Sequence, residues 1–205
     1  IVLYGVIQSP PVRAVILVLE ELAVPYEMKM FTDFKDKEFK RLNPQLTIPI
    51  IVDDGFALSE SRAIIQYLTD KYAKDDSLYP KDLKNRAMVN ARLQFDCSSW
   101  WPKFYAPLKA RYAYNKEITE ESIKTMYEPL EIVEEFLTRT KWVAGSKMTI
   151  ADISFFALAT TYPPSNLDLK PYPKILKWIE ECRKKLRGIK LNDEGVEVWS
   201  QGFKK

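Results

Sequence analysis

A few hydroxyl, carboxylate and guanidinium groups stand where local structure would present them to a ligand. The first is Ser9, set between the apolar run Ile1–Ile7 and the consecutive prolines Pro10 and Pro11. Proline is tolerated in the first turn of a helix, because its missing N–H would be unpaired there. The residue before a proline is pushed into the extended conformation, which an N-cap also adopts. Ser9 is therefore placed to cap a helix beginning at Pro10. The position offers a second role. Two of the free donors of the helix end are missing, so the hydroxyl and the remaining N–H groups face any anion there. A ligand thiolate would accept the Ser9 proton in a bond worth ~1.5–3 kcal/mol, lowering a thiol pKa by ~1–2 units from about 8.5. Residue types alone leave both roles open.

Two other stretches add recognition chemistry. In "LTIPII", Leu46 to Ile51, a proline heads a strand. Base rates favour a trans Ile48–Pro49 bond. A cis bond would turn the Ile48 N–H and C=O outward, where an extended peptide can pair with them. In "LSESRA", Leu58 to Ala63, Ser59 reads as an N-cap and Glu60 suits the first turn, whereas the cation Arg62 opposes the helix dipole. A residue that breaks a local rule invites a functional reading. Either Arg62 is exposed and paired with Glu60, or the stretch is a zwitterion clamp. In the clamp, Ser61 and the helix N–H groups take a carboxylate, Glu60 takes an ammonium and Arg62 adds positive field.

Absences narrow the chemistry. The chain has no histidine, which excludes Ser-His-Asp and Cys-His catalysis and any His-ligated metal. It has no C-x-x-C, G-x-G-x-x-G or P-loop motif. Its 31 basic and 28 acidic residues leave a formal charge of +3, too balanced for nucleic acid or membrane lipid as the main partner. No apolar run approaches the ~18 residues of a membrane span, and the first residues lack a signal-peptide charge pattern. Cys97 and Cys182 are far apart and fit a reducing compartment rather than a disulfide framework.

The elements that must position these groups fall into two kinds. Over the first 80 residues strand and helix signals alternate. Ile1–Ile7 reads as a strand, Val12–Leu22 as a helix with Val12, Val15, Ile16, Leu19 and Leu22 on one face, and Tyr26–Phe31 as a strand. Ile48–Leu58 reads as two strands turning at Asp54-Gly55, and Ser59–Ala73 as a helix burying Ala63, Ile64, Tyr67 and Leu68. The polar stretch Lys74–Asp82 reads as a linker. Beyond it the strand signal vanishes. A long helix is expected over Leu83–Tyr112, bent at Pro102 and Pro107, and another over Glu120–Thr138 with Ile123, Met126, Tyr127, Leu130, Val133 and Leu137 inward. "MTIADIS", from Met148, opens a third with Thr149 and Asp152 as a capping box. Tyr172–Leu186 gives a fourth with Ile175, Leu176, Ile179 and Cys182 inward, and a short helix follows Asn192. The fold class is α/β followed by an all-α bundle.

Taken together, "SPPVRA", "NPQLTIP", "ESRAIIQYL", the joining segment "LTDKYAKDDSLYPKD" and "MTIADIS" resemble the cytosolic glutathione transferases. The likeness spans nearly the whole chain and is strongest to the insect delta and epsilon classes. It implies a thioredoxin-like glutathione-binding domain over residues 1–76 and an all-helical domain with a hydrophobic-substrate pocket over residues 77–205. It further implies a cytoplasmic homodimer that uses glutathione as co-substrate, without a metal, and attacks apolar electrophiles in detoxification. By resemblance Ser9 is the thiolate partner. Ile48 pairs through its backbone ahead of a cis Pro49. Glu60 and Ser61 hold the γ-glutamyl end, with Arg62 beside them. Trp101, Phe104 and Tyr105 line the pocket with Ile7 opposite, and Trp199 and Phe203 cover it.

One residue departs from that pattern. Leu46 stands where the delta and epsilon classes carry a histidine that contacts the glycyl end of glutathione. Leucine donates no hydrogen bond, so a charge-assisted contact of ~1.5–3 kcal/mol, or ~10–100-fold in affinity, is at stake. Phe34 offers no donor either. Either a lysine of the Lys35–Lys40 segment takes the role, or glutathione binds poorly. The second case describes a binding protein that sequesters apolar ligands instead of an enzyme.

Overall fold

The computed structural model describes residues 1–30 and 37–202. Four short strands, β1 (Val2–Gly5), β2 (Glu27–Met30), β3 (Ile50–Asp53) and β4 (Phe56–Ser59), form one mixed sheet in the order β2-β1-β3-β4. β1 runs parallel to β2 and antiparallel to β3, and β3 is antiparallel to β4. The hairpin turns at Asp54 and Gly55, both at positive φ (49° and 82°), as a two-residue hairpin turn of matching twist requires. Helices α1 (Pro10–Leu22), α2 (Lys37–Leu42) and α3 (Ser61–Tyr72) complete a thioredoxin-like unit.

The rest is helical: α4 (Leu83–Phe95), α5 (Trp101–Tyr114), α6 (Glu120–Arg139), α7 (Ile150–Ala159), α8 (Pro173–Lys185) and α9 (Ile189–Gln201). The helix expected over Leu83–Tyr112 is two helices. They are joined by a π turn at Asp96–Trp100, in which the Trp101 N–H donates to the Asp96 carbonyl. Pro102 falls in the first turn of α5, and α5 continues through Pro107. The interruption therefore lies ahead of the prolines, where a wider turn accommodates the missing donor of Pro102. The turn buries both Asp96 and Trp100.

Helix α1 packs against α3 of its own unit and against α7 and α9 of the bundle. Every residue from Pro10 to Leu19 is buried, Arg13 included, where the sequence indicated one apolar face. The cause is the second layer: the bundle covers the side that a lone α/β unit would expose to water. One continuous core results, joining Leu3, Val15 and Ile64 to Trp100, Phe155 and Tyr162. At the start of α7, Asp152 accepts the Thr149 N–H at 2.8 Å, the expected reciprocal cap. In α8 the inward positions are Ile175, Trp178 and Cys182, with Leu176 exposed. The Trp178 Nε1–H donates to Asp152 at 3.0 Å, which fixes that rotation. In α6, Ile123 is likewise exposed while Met126, Leu130 and Val133 are buried. Helix α9 begins at Ile189, ahead of Asn192.

Candidate functional site

The sheet brings the candidate residues to one end. Tyr4, Ile50 and Ser59 pair across β1, β3 and β4. Just past that row the chain reaches Ser9, Ile48–Pro49 and Glu60–Ser61 respectively, so segments up to about 50 residues apart in sequence converge by register. The N-termini of α1 and α3 open at the same end, and both favour negative charge.

Ser9 occupies the N-cap of α1 with extended backbone (φ −72°, ψ 120°), but its hydroxyl makes no cap bond. Pro11 at the second helical position has no N–H to donate. The backbone is held nonetheless. The Ser9 N–H donates to the Val6 carbonyl at 3.1 Å, and the Arg13 N–H donates to the Ser9 carbonyl at 2.9 Å. A Cβ on Gly5 would stand 2.7 Å from a Val12 methyl, so only glycine lets the strand end lie this close to the helix. The result is a fixed, half-buried hydroxyl.

The Ile48–Pro49 peptide is cis, against the base-rate expectation and in line with the resemblance. Pro49 is buried and Ile48 half-buried. Among the described residues no backbone group outside the ladder pairs with Ile48, and the β3–β4 ladder begins at Ile50. The preceding loop is tied by Asn43, whose amide donates to the Thr47 carbonyl and hydroxyl at 2.9 and 3.0 Å. Leu46, half-buried, sits in this loop at φ 55°. Lys37 and Lys40 are exposed on α2. Phe34, Lys35 and Phe203 lie outside the described residues.

At α3 the structure corrects two expectations. The N-cap is Glu60 rather than Ser59, which ends β4. Glu60 is exposed at φ 70°, ψ 102°, a conformation that costs a non-glycine residue on the order of 1–3 kcal/mol and that clusters at ligand sites. Arg62 is neither exposed nor paired with Glu60. Its Nε donates to Asp96 Oδ2 at 3.0 Å and one terminal nitrogen to the Ser61 hydroxyl at 2.9 Å. The other terminal nitrogen lies 2.8 Å from Asp96 Oδ1, an ion pair not aligned as a hydrogen bond. Asp96 is fully buried and also accepts the Ser154 hydroxyl at 2.6 Å. The cation at the head of α3 is thus compensated from the π turn and α7. Ser61, itself buried, accepts from Arg62 and keeps its own proton to donate. Spacing could not reveal Asp96, 34 residues from its partner. The only hint was the local misfit of Arg62.

Of the aromatic candidates, Trp101 and Tyr105 stack with centroids 4.6 Å apart and planes 10° from parallel. Tyr105 is 37% exposed. Phe104 has no exposed surface and packs on Tyr162 and Trp199, with centroids at 4.7 and 6.2 Å. It backs half-buried Trp101, with ring centroids 6.3 Å apart, rather than facing solvent. Trp199 donates its Nε1–H to the Ser165 hydroxyl at 2.9 Å. Ile7 is half-buried. Farther along α5 opens a cleft of about 730 Å³, with Leu108, Tyr112, Ile118, Ile123, Met126 and Leu167 among its walls.

A thioredoxin-like unit with a cis-proline loop, followed by a helical bundle, is the fold class that the structure defines. Residues 3–76 match the glutathione S-transferase N-terminal domain and residues 89–185 the glutathione S-transferase C-terminal domain. The chain is 33% identical over 213 aligned positions to glutathione S-transferase D7 of Anopheles gambiae, covering 99% of this chain and 96% of that one. Among solved structures it is similar to a delta-class glutathione transferase of Nilaparvata lugens (36% identity, 99% and 98% coverage, TM-score 0.94). It is also similar to a glutathione transferase homologue of Drosophila mojavensis with bound glutathione (34% identity, 98% and 94% coverage, TM-score 0.90). The chain belongs to the glutathione S-transferase family.

Proposed function

We infer that this chain conjugates glutathione to apolar electrophiles by a serine-type mechanism. Family membership carries glutathione conjugation, and the geometry of the site supports the particular roles proposed for its residues. The Ser9 hydroxyl donates to the thiol sulfur and stabilises its ionised form. Ile48 pairs with the cysteinyl backbone as one added strand. Ser61 donates to the γ-glutamyl carboxylate beside the N–H groups of α3, and Glu60 accepts from the γ-glutamyl ammonium. Arg62 acts through Ser61 and Asp96, holding the clamp rather than touching the peptide. Trp101 and Tyr105, backed by Phe104 and with Ile7 opposite, receive the electrophile. The thiolate forms the new C–S bond as the leaving group departs with its electron pair, or, in an addition, as the resulting carbanion takes a proton from water.

The observation that carries this reading is that Ser9 holds the cap position with a hydroxyl that caps nothing. It stands at the end of the sheet where the Ile48 backbone and Ser61 also emerge. Leu46 adds no donor at the glycyl end, so binding is expected in the weaker part of the family's range. Exposed apolar side chains on β4 and α4, Phe56, Met88 and Leu83, support association of two copies. A cytoplasmic detoxifying homodimer is consistent with these features and with the absence, among the described residues, of a helix able to cross a membrane. Calorimetric titration with glutathione, alongside turnover of an activated aryl halide, tests the reading. Saturable binding with turnover supports it. Retained binding of apolar ligands with neither glutathione binding nor turnover would overturn it in favour of a sequestering protein.

A further inference from the structure

Arg13 is fully buried, and among the described residues no carboxylate makes a hydrogen bond or ion pair with it. One terminal nitrogen donates to Asn192 Oδ1 at 2.7 Å and to the Thr160 hydroxyl at 3.2 Å, and the other donates to the Thr161 hydroxyl. Its Nε has no partner among the described residues. All three partners are neutral and come from the helical domain. Burial pushes the guanidinium pKa down to about 9, so it remains charged at neutral pH. Buried charges are ordinarily paired, and this one faces hydroxyls and an amide instead.

The surrounding elements leave the charge largely uncompensated. From α9, Asp193 opposes it, but both Asp193 oxygens accept from Arg183 at 2.8 and 2.9 Å. Glu194 and Glu197 of α9 are exposed. The one charged residue of α7, Asp152, lies in its first turn and accepts from Val143, Thr149 and Trp178. Arg62 of α3 is engaged with Asp96. On α1 itself, Glu20 accepts from Tyr26 and Glu21 from the Arg187 N–H.

The side chain also lies beside the loop that carries Ser9. A Cβ on Gly195 would fall 2.3 Å from the Ile7 carbonyl oxygen and 2.6 Å from Arg13 Cδ. Helix α9 therefore presses at one point on both the arginine stem and the loop two residues before Ser9. Four helical residues rise about 6 Å, so a sulfur held at Ser9 lies on the order of 10 Å from the guanidinium.

Resting on the proposed function above, we propose that Arg13 is an electrostatic positioning residue. Its buried charge, left unneutralised by Asn192, Thr160 and Thr161, adds to the α1 terminus and lowers the pKa of the bound glutathione thiol. At an effective dielectric of ~20–40, a unit charge at that range lowers the thiol pKa by about 0.5–1 unit. The neutrality of residue 192 is then a functional requirement: a carboxylate there would strengthen the local contact and cancel the field.

The test is a pH titration of the thiolate absorbance of bound glutathione near 240 nm. It compares wild type, Asn192→Asp, Asn192→Ala, Arg13→Met and Ser9→Ala, with circular dichroism to establish folding. Asn192→Asp and Arg13→Met should each raise the thiol pKa by about 0.5–1 unit, while Asn192→Ala, which loses a contact but adds no charge, leaves it low. A structural role alone would make both Asn192 variants behave alike. A folded Asn192→Asp protein with a wild-type thiol pKa overturns the proposal. If that variant does not fold, a thiol pKa that Arg13→Met leaves unchanged does so. A shift in Ser9→Ala without one in Asn192→Asp leaves the proposed function standing and removes only this inference. A wild-type bound thiol at its solution value removes both.

Discussion

Replacing Ser9 by alanine separates the two roles that the sequence leaves open. A capping serine lost to alanine ordinarily costs ~0.5–2 kcal/mol of stability. Here the hydroxyl makes no cap bond, and the backbone bonds that hold the residue, to Val6 and from Arg13, do not involve its side chain. Stability should therefore change by less than ~0.5 kcal/mol, read as the urea midpoint. Catalysis should not be spared. Losing a charge-assisted bond of ~1.5–3 kcal/mol raises the bound thiol pKa by ~1–2 units. If the wild-type thiol titrates near 7, half is ionised at pH 7. With a pKa near 8.5 only ~3% is, a loss of ~15-fold in kcat/KM. The same arithmetic makes the deficit nearly vanish by pH 9, where both thiols are mostly ionised. The assay is kcat/KM for an activated aryl halide between pH 6 and 9. A pH-independent loss, or unchanged turnover with stability lowered by 1 kcal/mol or more, would refute the reasoning.

Asp96→Asn leaves Arg62 beside a neutral amide in a site where its side chain is only 12% exposed and Asp96 is fully buried. A loss of ~3 kcal/mol in urea unfolding is expected, with weaker glutathione binding by calorimetry as Ser61 loses its anchor. Leu46→His restores a donor at the glycyl end and should tighten glutathione binding by up to ~10–100-fold; an unchanged affinity would place that carboxylate elsewhere. Burial, acting against the bonds from Val143, Thr149 and Trp178, pushes the Asp152 carboxyl up to about 6. A raised folded-state pKa means the native state holds the proton longer, so this contribution is full below about pH 4 and lost as pH rises through 6. Asp152→Asn should remove that slope from a plot of unfolding free energy against pH, and a persistent slope would assign it to other groups.

What could be read in advance was local. The Asp54-Gly55 turn, the Thr149–Asp152 cap and the placement of Ser9 before two prolines each follow from a few neighbouring residues, and the structure has all three features. What could not be read depended on the facing layer. One apolar stripe on α1 is the right inference for a helix with one neighbour, yet the bundle gives it a second and draws Arg13 inside. Pro102 and Pro107 point to one helix with a bend, whereas two helices meet at a π turn that brings Asp96 inward to Arg62. Leu176 and Trp178 exchange places because an indole N–H has a buried acceptor in Asp152. At the site the hydroxyls and the cis bond lay within short motifs. Asp96, Ser154, Asn192 and Gly195 are far from them in sequence and matter only after folding.

The burial of α1 on every side bears on how such a chain can evolve by exchange of parts. The seam between the halves lies in sequence near Lys74–Asp82, but in space it runs around a helix that neither half can shield from water alone. A chimaera joining the front of one relative to the back of another would have to match, at once, the guanidinium of Arg13 to a neutral residue at 192, Arg62 to an acid at 96, and the backbone near Ile7 to a glycine at 195. Shuffling at the linker should therefore yield mostly insoluble products, whereas crossovers that keep those pairs together should survive, so inheritance in this architecture is tied to the packing around one helix more than to the apparent joint in the polypeptide.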